Sequence, residues 1–373
     1  MKGKRVGVIG GGQLAWMMAT EAPKLNVELI VQANTPDEPA VSQAKQVIFA
    51  EVDDAKGTAE LASLCNVITF ENEFIDLPAL QKLAFKTVFR PSLETLAPLL
   101  DKYDQRSFLQ NIGLPIPKFS LGLSEDLAAS YEFPMVLKAR RHGYDGQGTF
   151  IVRDKQALTA LSQRVPLAEL LVEEFIPYQK ELAVIAARNV SGETAIYPIT
   201  ETFQKNQVCH WTITPADIDE DIVEQTKEIA LTILNRLEVV GVFGIELFLT
   251  NDNRVLVNEI APRTHNSGHY TLDACHTSQF AMQLRAVTDL PLGSTDLKSA
   301  GAVMVNLLGY EESESNYKVK RDRILEIPQS FLHWYGKISH PGRKLGHVTV
   351  LLGAEQLTQT QSIIDRIESI WYE

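Results

Sequence analysis

Short apolar runs alternate with helically spaced stretches through the first hundred residues. RVGVIG, VELIVQA, QVIFAEV and NVITFE read as strands, whereas LAWMMATEAPKL and the segment around AELASL carry a helical stripe. That rhythm predicts a parallel sheet covered on both faces, a Rossmann-like α/β domain over residues 1–105. From Pro91 the pattern turns helical through SLETLAPLLDKYDQRSFLQNIG, until Gly113, Pro115 and Pro117 stop it and stiffen a connection. FPMVLKA and TFIVR flank a glycine loop and lead to a helix from about Lys155 to Gln163 and the strand ELLVEEFI, an α+β unit over 106–180. Beyond it the pattern is antiparallel. ELAVIAARN, AIYPITETF and the hairpin VFGIELFLTNDNRVLVNEIAPR, with the helix DIVEQTKEIALTILNRL, fill 181–300. AGAVMVNLLG, HWYGKISHPGRKLGHVTVLL and a terminal helix make a small β-rich extension at 301–373.

The turn after the first strand, Gly10-Gly11-Gly12-Gln13-Leu14-Ala15, fits G-x-G-x-x-A and aims backbone N–H groups at a helix N-terminus, where anions are favoured. A dinucleotide would also need an acid at the end of the second strand, where Gln32 and Asn34 stand instead. A phosphate from another ligand suits the turn equally well, and an NAD-dependent oxidoreductase is the alternative from a different class.

The hairpin supplies the strongest geometry. With Asp252-Asn253 as a two-residue turn, Thr250 faces Val255, Phe248 faces Val257 and Glu246 faces Glu259. Two carboxylates facing each other across strands need a raised pKa or a bound cation, and Mg2+ shared with nucleotide phosphates resolves the conflict. A turn longer by one residue sends Glu259 to the opposite face. Asn258 is placed to add a ligand or a phosphate contact. The segment APRTHNSGHYT then offers Arg263, Asn266, Ser267 and backbone amides near Gly268 to an anion. His265 and His269 lack the H-E-x-x-H frame of a zinc site and read as hydrogen-bonding residues. In KARRHGYDGQG a strand-borne Lys138 precedes the loop Gly143 to Gly148, whose bare backbone can approach phosphates, with Arg140 and Arg141 bracing it or adding a diffuse field. No G-x-x-x-x-G-K-[ST] occurs, so the phosphate cradle is not a P-loop.

Composition narrows the partners. A net charge of −12 over 373 residues argues against nucleic acid but allows a local basic pocket for a small anion. No apolar run is long enough to span a bilayer, and MKGKRVGVIGGG enters a strand without a signal-peptide plan, so a cytoplasmic protein without a membrane partner is expected. Cys65, Cys209 and Cys275 lie far apart and suggest buried free thiols.

Taken together, the lysine on a strand, the glycine loop and the carboxylate hairpin resemble the ATP-grasp fold, in which two α+β parts close on ATP. GGGQL, RRHGYDGQG, NEIAPRTHNSGHYT and HWYGKISHPGRKLGHV, in that order over nearly the whole chain, resemble the 5-(carboxyamino)imidazole ribonucleotide synthetase family within it. The resemblance implies a Rossmann-like domain, a two-part ATP-grasp fold and a C-terminal extension, with ATP, Mg2+, bicarbonate and 5-aminoimidazole ribonucleotide as small-molecule partners in a homodimer. By the same likeness Lys102 and Lys138 contact the ATP phosphates, and Gly143, Tyr144, Asp145, Gly146, Gln147, Gly148 and Thr149 cover them. Glu173, Glu174, Phe175 and Ile176 receive the adenine, Glu181 the ribose, Gln204 and Asn258 add nucleotide contacts, and Glu246 with Glu259 hold the metal. The ribonucleotide phosphate is expected near Gly12, Gln13 and Leu14 or near Lys337, Arg343 and Lys344. Glu73, Tyr144, Asp145, Arg263, His265, Asn266 and Ser267 complete its pocket, with Asp145, Tyr144, Arg263 and Lys344 closest to the chemistry.

The sequence also departs from the family. Ala15 and Trp16 replace the usual Gly-Arg after GGGQL, Gln147 stands where a basic residue is common, and TFENEF permutes the usual YEFEN. A formate-using glycinamide ribonucleotide transformylase and a biotin carboxylase would share the nucleotide site, but HNSGH and HWYGK favour the bicarbonate enzyme. A catalytically silent nucleotide-binding regulator fits the retained lysines and carboxylates less well.

Overall fold

Val6, Val8 and Ile9 are fully buried on β1 (Lys4–Ile9), as a strand inside a parallel sheet must be on both faces. The computed structural model, which describes residues 3–122, 131–141 and 148–373, sets β1 between β2 (Val27–Ala33) and β4 (Val67–Phe70), with β3 (Gln46–Phe49) outermost and every pairing parallel. Gly10 follows β1 at φ +115°, and a Cβ there would strike the Glu71 side chain.

The helical run expected after Pro91 is broken. Helix Leu93–Leu96 passes into a 3-10 turn, and a second helix, Lys102–Asn111, starts afresh at Asp101. The Asp101 carboxylate accepts from the N–H groups of Tyr103 at 2.9 Å and Asp104 at 3.3 Å, a helix cap that competes with continuation. Lys102 thereby becomes the first residue of a helix.

A second sheet has the order β5-β8-β6-β7, all antiparallel, from β5 (Phe119–Leu121), β6 (Met135–Lys138), β7 (Thr149–Val152) and β8 (Leu171–Glu174). Leu161 of helix Lys155–Ser162 packs with Met135, Leu137, Val152 and Val172 to form its core.

The third sheet has nine strands: β9 (Tyr178–Arg188), β10 (Thr194–Ile196), β11 (Thr200–Lys205), β12 (Val208–Thr214), β13 (Gly241–Thr250), β14 (Val255–Ala261), β15 (Gly301–Leu308), β16 (Ser330–Trp334) and β17 (Lys344–Leu352). Its order is β14-β13-β9-β11-β12-β15-β17-β16, with β10 on β9. The strand expected over AIYPITETF is therefore two, with Pro198, which lacks an N–H to donate, between them. The strands of residues 301–373 do not make a sheet of their own. They extend the preceding one through Trp211 opposite Val305 and Ile213 opposite Val303.

Helix Glu220–Arg236 covers β9 and β13 with Ile222, Ile229, Ile233 and Leu234, and helix Thr360–Tyr372 covers β15 and β17 with Ile364, Ile367 and Trp371. Helix Gln279–Val287 ties the parts together. Phe280, Leu284 and Val287 enter the core under β1 and β2, while Met282 packs with Val242 and Ile185 of the large sheet. All three cysteines carry free thiols, and among the described residues no helix is long and apolar enough to cross a membrane.

Candidate active site

The hairpin loop is one residue longer than the two-residue turn expected. Asn253 N–H donates to Thr250 O at 3.0 Å, Asn253 lies at φ 57°, and Leu249 pairs with Val255. That slip alone would turn Glu259 away. A register shift between Leu247 and Glu246 leaves Asn258 as the extra residue of a bulge and brings Glu246 opposite Glu259 after all. The two carboxylates share a face with Glu181, because Glu246 pairs with Ala183 and Phe248 with Glu181 on β9. Burial, then the charges of Glu259 and Glu181, pushes the Glu246 carboxyl up to about 7. Burial acts on Glu259 in the same direction, but Lys102 and Lys138 outweigh it and hold that carboxyl below its usual range.

The cations arrive from two elements. Lys102 Nζ lies 2.5 Å from Glu259 Oε2, and Lys138, at the end of β6, lies 2.7 Å from Glu173 and 3.2 Å from Asn258 Oδ1. Glu173 is 2 % exposed and also pairs with Arg106. Arg106 reaches on to the carbonyls of Val257 at 3.1 Å and Asn258 at 2.6 Å, and Gln105 exchanges hydrogen bonds with the Ile260 backbone. The helix Lys102–Asn111 thus caps the outer edge of β14, a row of backbone groups that would otherwise lie open. Arg106 and Gln105 were missed in the sequence. The spacing of Lys102 and Arg106 by four, which puts them on one helix face, was the available signal.

Glu173 was expected among the adenine contacts, but its carboxylate is engaged by Arg106 and Lys138. Glu174 Oε1 accepts from the Lys118 N–H at 2.7 Å, and Phe175 and Ile176 follow half-buried. Burial pushes the Glu181 carboxyl above its usual range, and a hydrogen bond with Tyr178 only partly offsets this. Tyr178 stacks on Phe248 at 4.9 Å. Gln204 sits half-buried on β11, opposite a bulge at His210 in β12. Ala139 N–H donates to Gly148 O at 2.7 Å and Lys138 pairs with Thr149, closing the base of the glycine loop. Gly143, Tyr144, Asp145, Gly146 and Gln147 lie outside the described residues. Arg140 braces that base. It pairs with Asp101 at 2.8 Å, and its carbonyl accepts from Lys102 N–H at 2.9 Å.

The glycine turn is a correction. The N–H groups of Gly12 and Leu14, expected to meet a ligand phosphate, donate to Glu71 at 2.6 and 2.9 Å, so a buried carboxylate takes the helix N-terminus. Gln32 is likewise used internally, donating to Glu51 O at 2.6 Å and accepting from Thr58 at 2.9 Å. Gln13 Oε1 accepts from Lys337 Nζ at 2.5 Å, which brings together two of the residues expected near the ribonucleotide phosphate. Glu73 pairs with Arg263 at 2.9 Å. His265 spans both halves, with Nδ1 2.9 Å from Ser267 Oγ and Nε2 3.4 Å from Glu246 Oε1. Asn266 exchanges amide hydrogen bonds with Asn306 at 2.8 and 3.0 Å. The exposed Arg343 donates to Ile338 O within its own turn. Half-buried Lys344 adds its charge to burial in pushing His269 well below its usual range.

One buried amide shapes this second half and was not foreseen. Gln279 accepts from His265 N–H at 2.9 Å and donates to His265 O at 2.7 Å. It grips one residue by both backbone groups.

Comparison with known proteins places the three parts of the chain. A ribonucleotide synthetase preATP-grasp domain matches residues 3–98, an ATP-grasp domain 107–280, and a phosphoribosylaminoimidazole carboxylase C-terminal domain 302–361. The chain is similar to the N5-carboxyaminoimidazole ribonucleotide synthase of Synechocystis, 53 % identical over 98 % of each chain. Among solved structures it resembles the synthetase of Thermotoga maritima, with TM-score 0.88 and 39 % identity over 98 % of each chain. It also resembles the Aspergillus clavatus enzyme in complex with ADP and 5-aminoimidazole ribonucleotide, with TM-score 0.90 and 28 % identity over 100 % of this chain and 99 % of that one. By fold and by sequence, the chain belongs to the N5-carboxyaminoimidazole ribonucleotide synthase family of ATP-grasp enzymes.

Proposed function

We propose that the chain carboxylates 5-aminoimidazole ribonucleotide with bicarbonate, hydrolysing ATP to ADP and phosphate, as a carbon–nitrogen ligase of purine biosynthesis. The observation that carries this reading is His265. Its Nε2 lies 3.4 Å from Glu246 of the carboxylate pair and its Nδ1 lies 2.9 Å from Ser267 of the segment expected to receive the ribonucleotide, so the metal pair and the second-substrate segment meet at one residue.

In this reading the γ-phosphoryl group passes to a bicarbonate oxygen, giving carboxyphosphate and ADP. The amine of the ribonucleotide then attacks the carboxyl carbon, or carbon dioxide released from it, and phosphate leaves as the amine loses a proton. Lys102 and Lys138 offset the repulsion between the two reacting anions, the main electrostatic task of such a transfer. Glu246 and Glu259, hard oxygen donors that repel each other without a cation, would hold magnesium, which supplies further neutralisation of phosphate charge. Arg263, His265 and Ser267 orient bicarbonate and the ribonucleotide, with Lys337 and Lys344 toward its phosphate. Asp145, helped by Tyr144, orients the amine or accepts its proton.

The deciding measurement is phosphate release from ATP in bicarbonate buffer, with and without 5-aminoimidazole ribonucleotide. Strong stimulation by the ribonucleotide is expected, and its absence would sink the reading. The family likeness also leads us to expect a homodimer working in the cytoplasm, to be checked by sedimentation and by cell fractionation.

A further inference from the structure

The facing carboxylates need a compensating cation, and the structure has one in place. Lys102 Nζ stands 2.5 Å from Glu259 Oε2. The base of this side chain is fixed. Its backbone N–H is tied to Arg140 O at 2.9 Å, and the preceding Asp101 is paired with Arg140 at 2.8 Å. Only the flexible stem can move. Lys138 is not the group on Glu259, because it is held by Glu173 at 2.7 Å and by Asn258 at 3.2 Å.

We propose that Lys102 is a resident counter-cation that closes the Glu246–Glu259 pair to free divalent metal, so that metal enters only together with the nucleotide. This rests on the reading of that pair as the magnesium site. An ammonium and a divalent cation on one carboxylate repel each other at contact distance, so the lysine has to leave before both carboxylates can hold a metal. In the absence of nucleotide its departure leaves a cation without a partner. A nucleotide phosphate chain gives the ammonium a second anion within reach of the same stem, and the two exchanges become one event. Metal and nucleotide are then positively coupled, and each raises the other's affinity by the same factor.

The test is a Mn2+ titration followed by electron paramagnetic resonance, on the wild-type chain and on Lys102→Met, with and without ADP. Wild type should bind Mn2+ weakly alone and about tenfold or more tightly with ADP. Lys102→Met should gain about tenfold in Mn2+ affinity without nucleotide, and the increment on adding ADP should shrink. Lys102→Gln should behave alike, which guards against a fold defect peculiar to one variant, and adding Glu259→Gln should erase the gain. Equal Mn2+ affinity of wild type with and without ADP, or no gain in either lysine variant, overturns the counter-cation role. If Glu246→Gln and Glu259→Gln leave Mn2+ binding with ADP unchanged, the magnesium-site reading fails as well, a different signature from the first.

Discussion

Beneath Lys138 the chain buries a carboxylate, and Arg106 is what makes this tolerable. Burial alone would push Glu173 up, but Arg106 and Lys138 outweigh it and hold the carboxyl at about 2 instead of 4.5. A folded value below the unfolded one means stabilisation that is complete above about pH 4.5 and lost as pH falls toward 2, on the order of 3 kcal/mol. Acid unfolding followed by circular dichroism should show this limb, and Glu173→Gln should flatten it while costing about 3–5 kcal/mol at neutral pH because two buried cations lose their counter-charge. An unchanged acid limb would remove Glu173 from the account. Gln279→Met strips His265 of two backbone partners, so the KM for the ribonucleotide should rise roughly tenfold to a hundredfold while ADP affinity holds, and a parallel loss of ADP binding would argue for general damage. Asp145→Asn should abolish carboxylated product yet leave ATP binding intact, and full activity would refute its assigned part. Lys138, Glu246 and Glu259 were legible because charge on a strand is conspicuous. Arg106, Gln279 and Glu71 were not, since each acts by being buried against a backbone far away in sequence, which one-dimensional spacing does not encode.

At the level of elements, the hairpin reached the expected pairing by two departures that cancel. A three-residue loop slips the strand and the bulge at Asn258 restores it. Side-chain alternation shows which residues are apolar, but nothing in it marks where a strand will take up an extra residue. The bulge also fixes Asn258 for Arg106 and Lys138. Deleting Asn258 should therefore slide Glu259 along without turning it away from Glu246. Mn2+ binding with ADP should weaken about tenfold for want of those contacts rather than vanish. Complete loss would mean that the bulge itself aims Glu259. Asp101 is the other case. Its cap divides what looked like one helix, and the division is what sets Lys102 beside Glu259.

Across the whole molecule, the order of strands and helices was visible in their alternation, but the merging of the C-terminal strands into the preceding sheet was not. Whether β15 begins a new sheet or joins the edge of β12 depends on partner choice, and apolar strands such as AGAVMVNLLG suit either. Because β12 and β15 are paired, the catalytic and C-terminal parts should unfold together. Calorimetry should give no separate C-terminal transition, and a chain cut after residue 300 should aggregate through the bared β12 edge. This shared sheet also bears on inheritance. A chimera that exchanges residues 302–361 between relatives would have to carry a matching β12, because Trp211 and Ile213 lie opposite Val305 and Val303 across the seam. Recombination at that boundary should be poorly tolerated, so the two ends of the sheet are expected to descend as a single block.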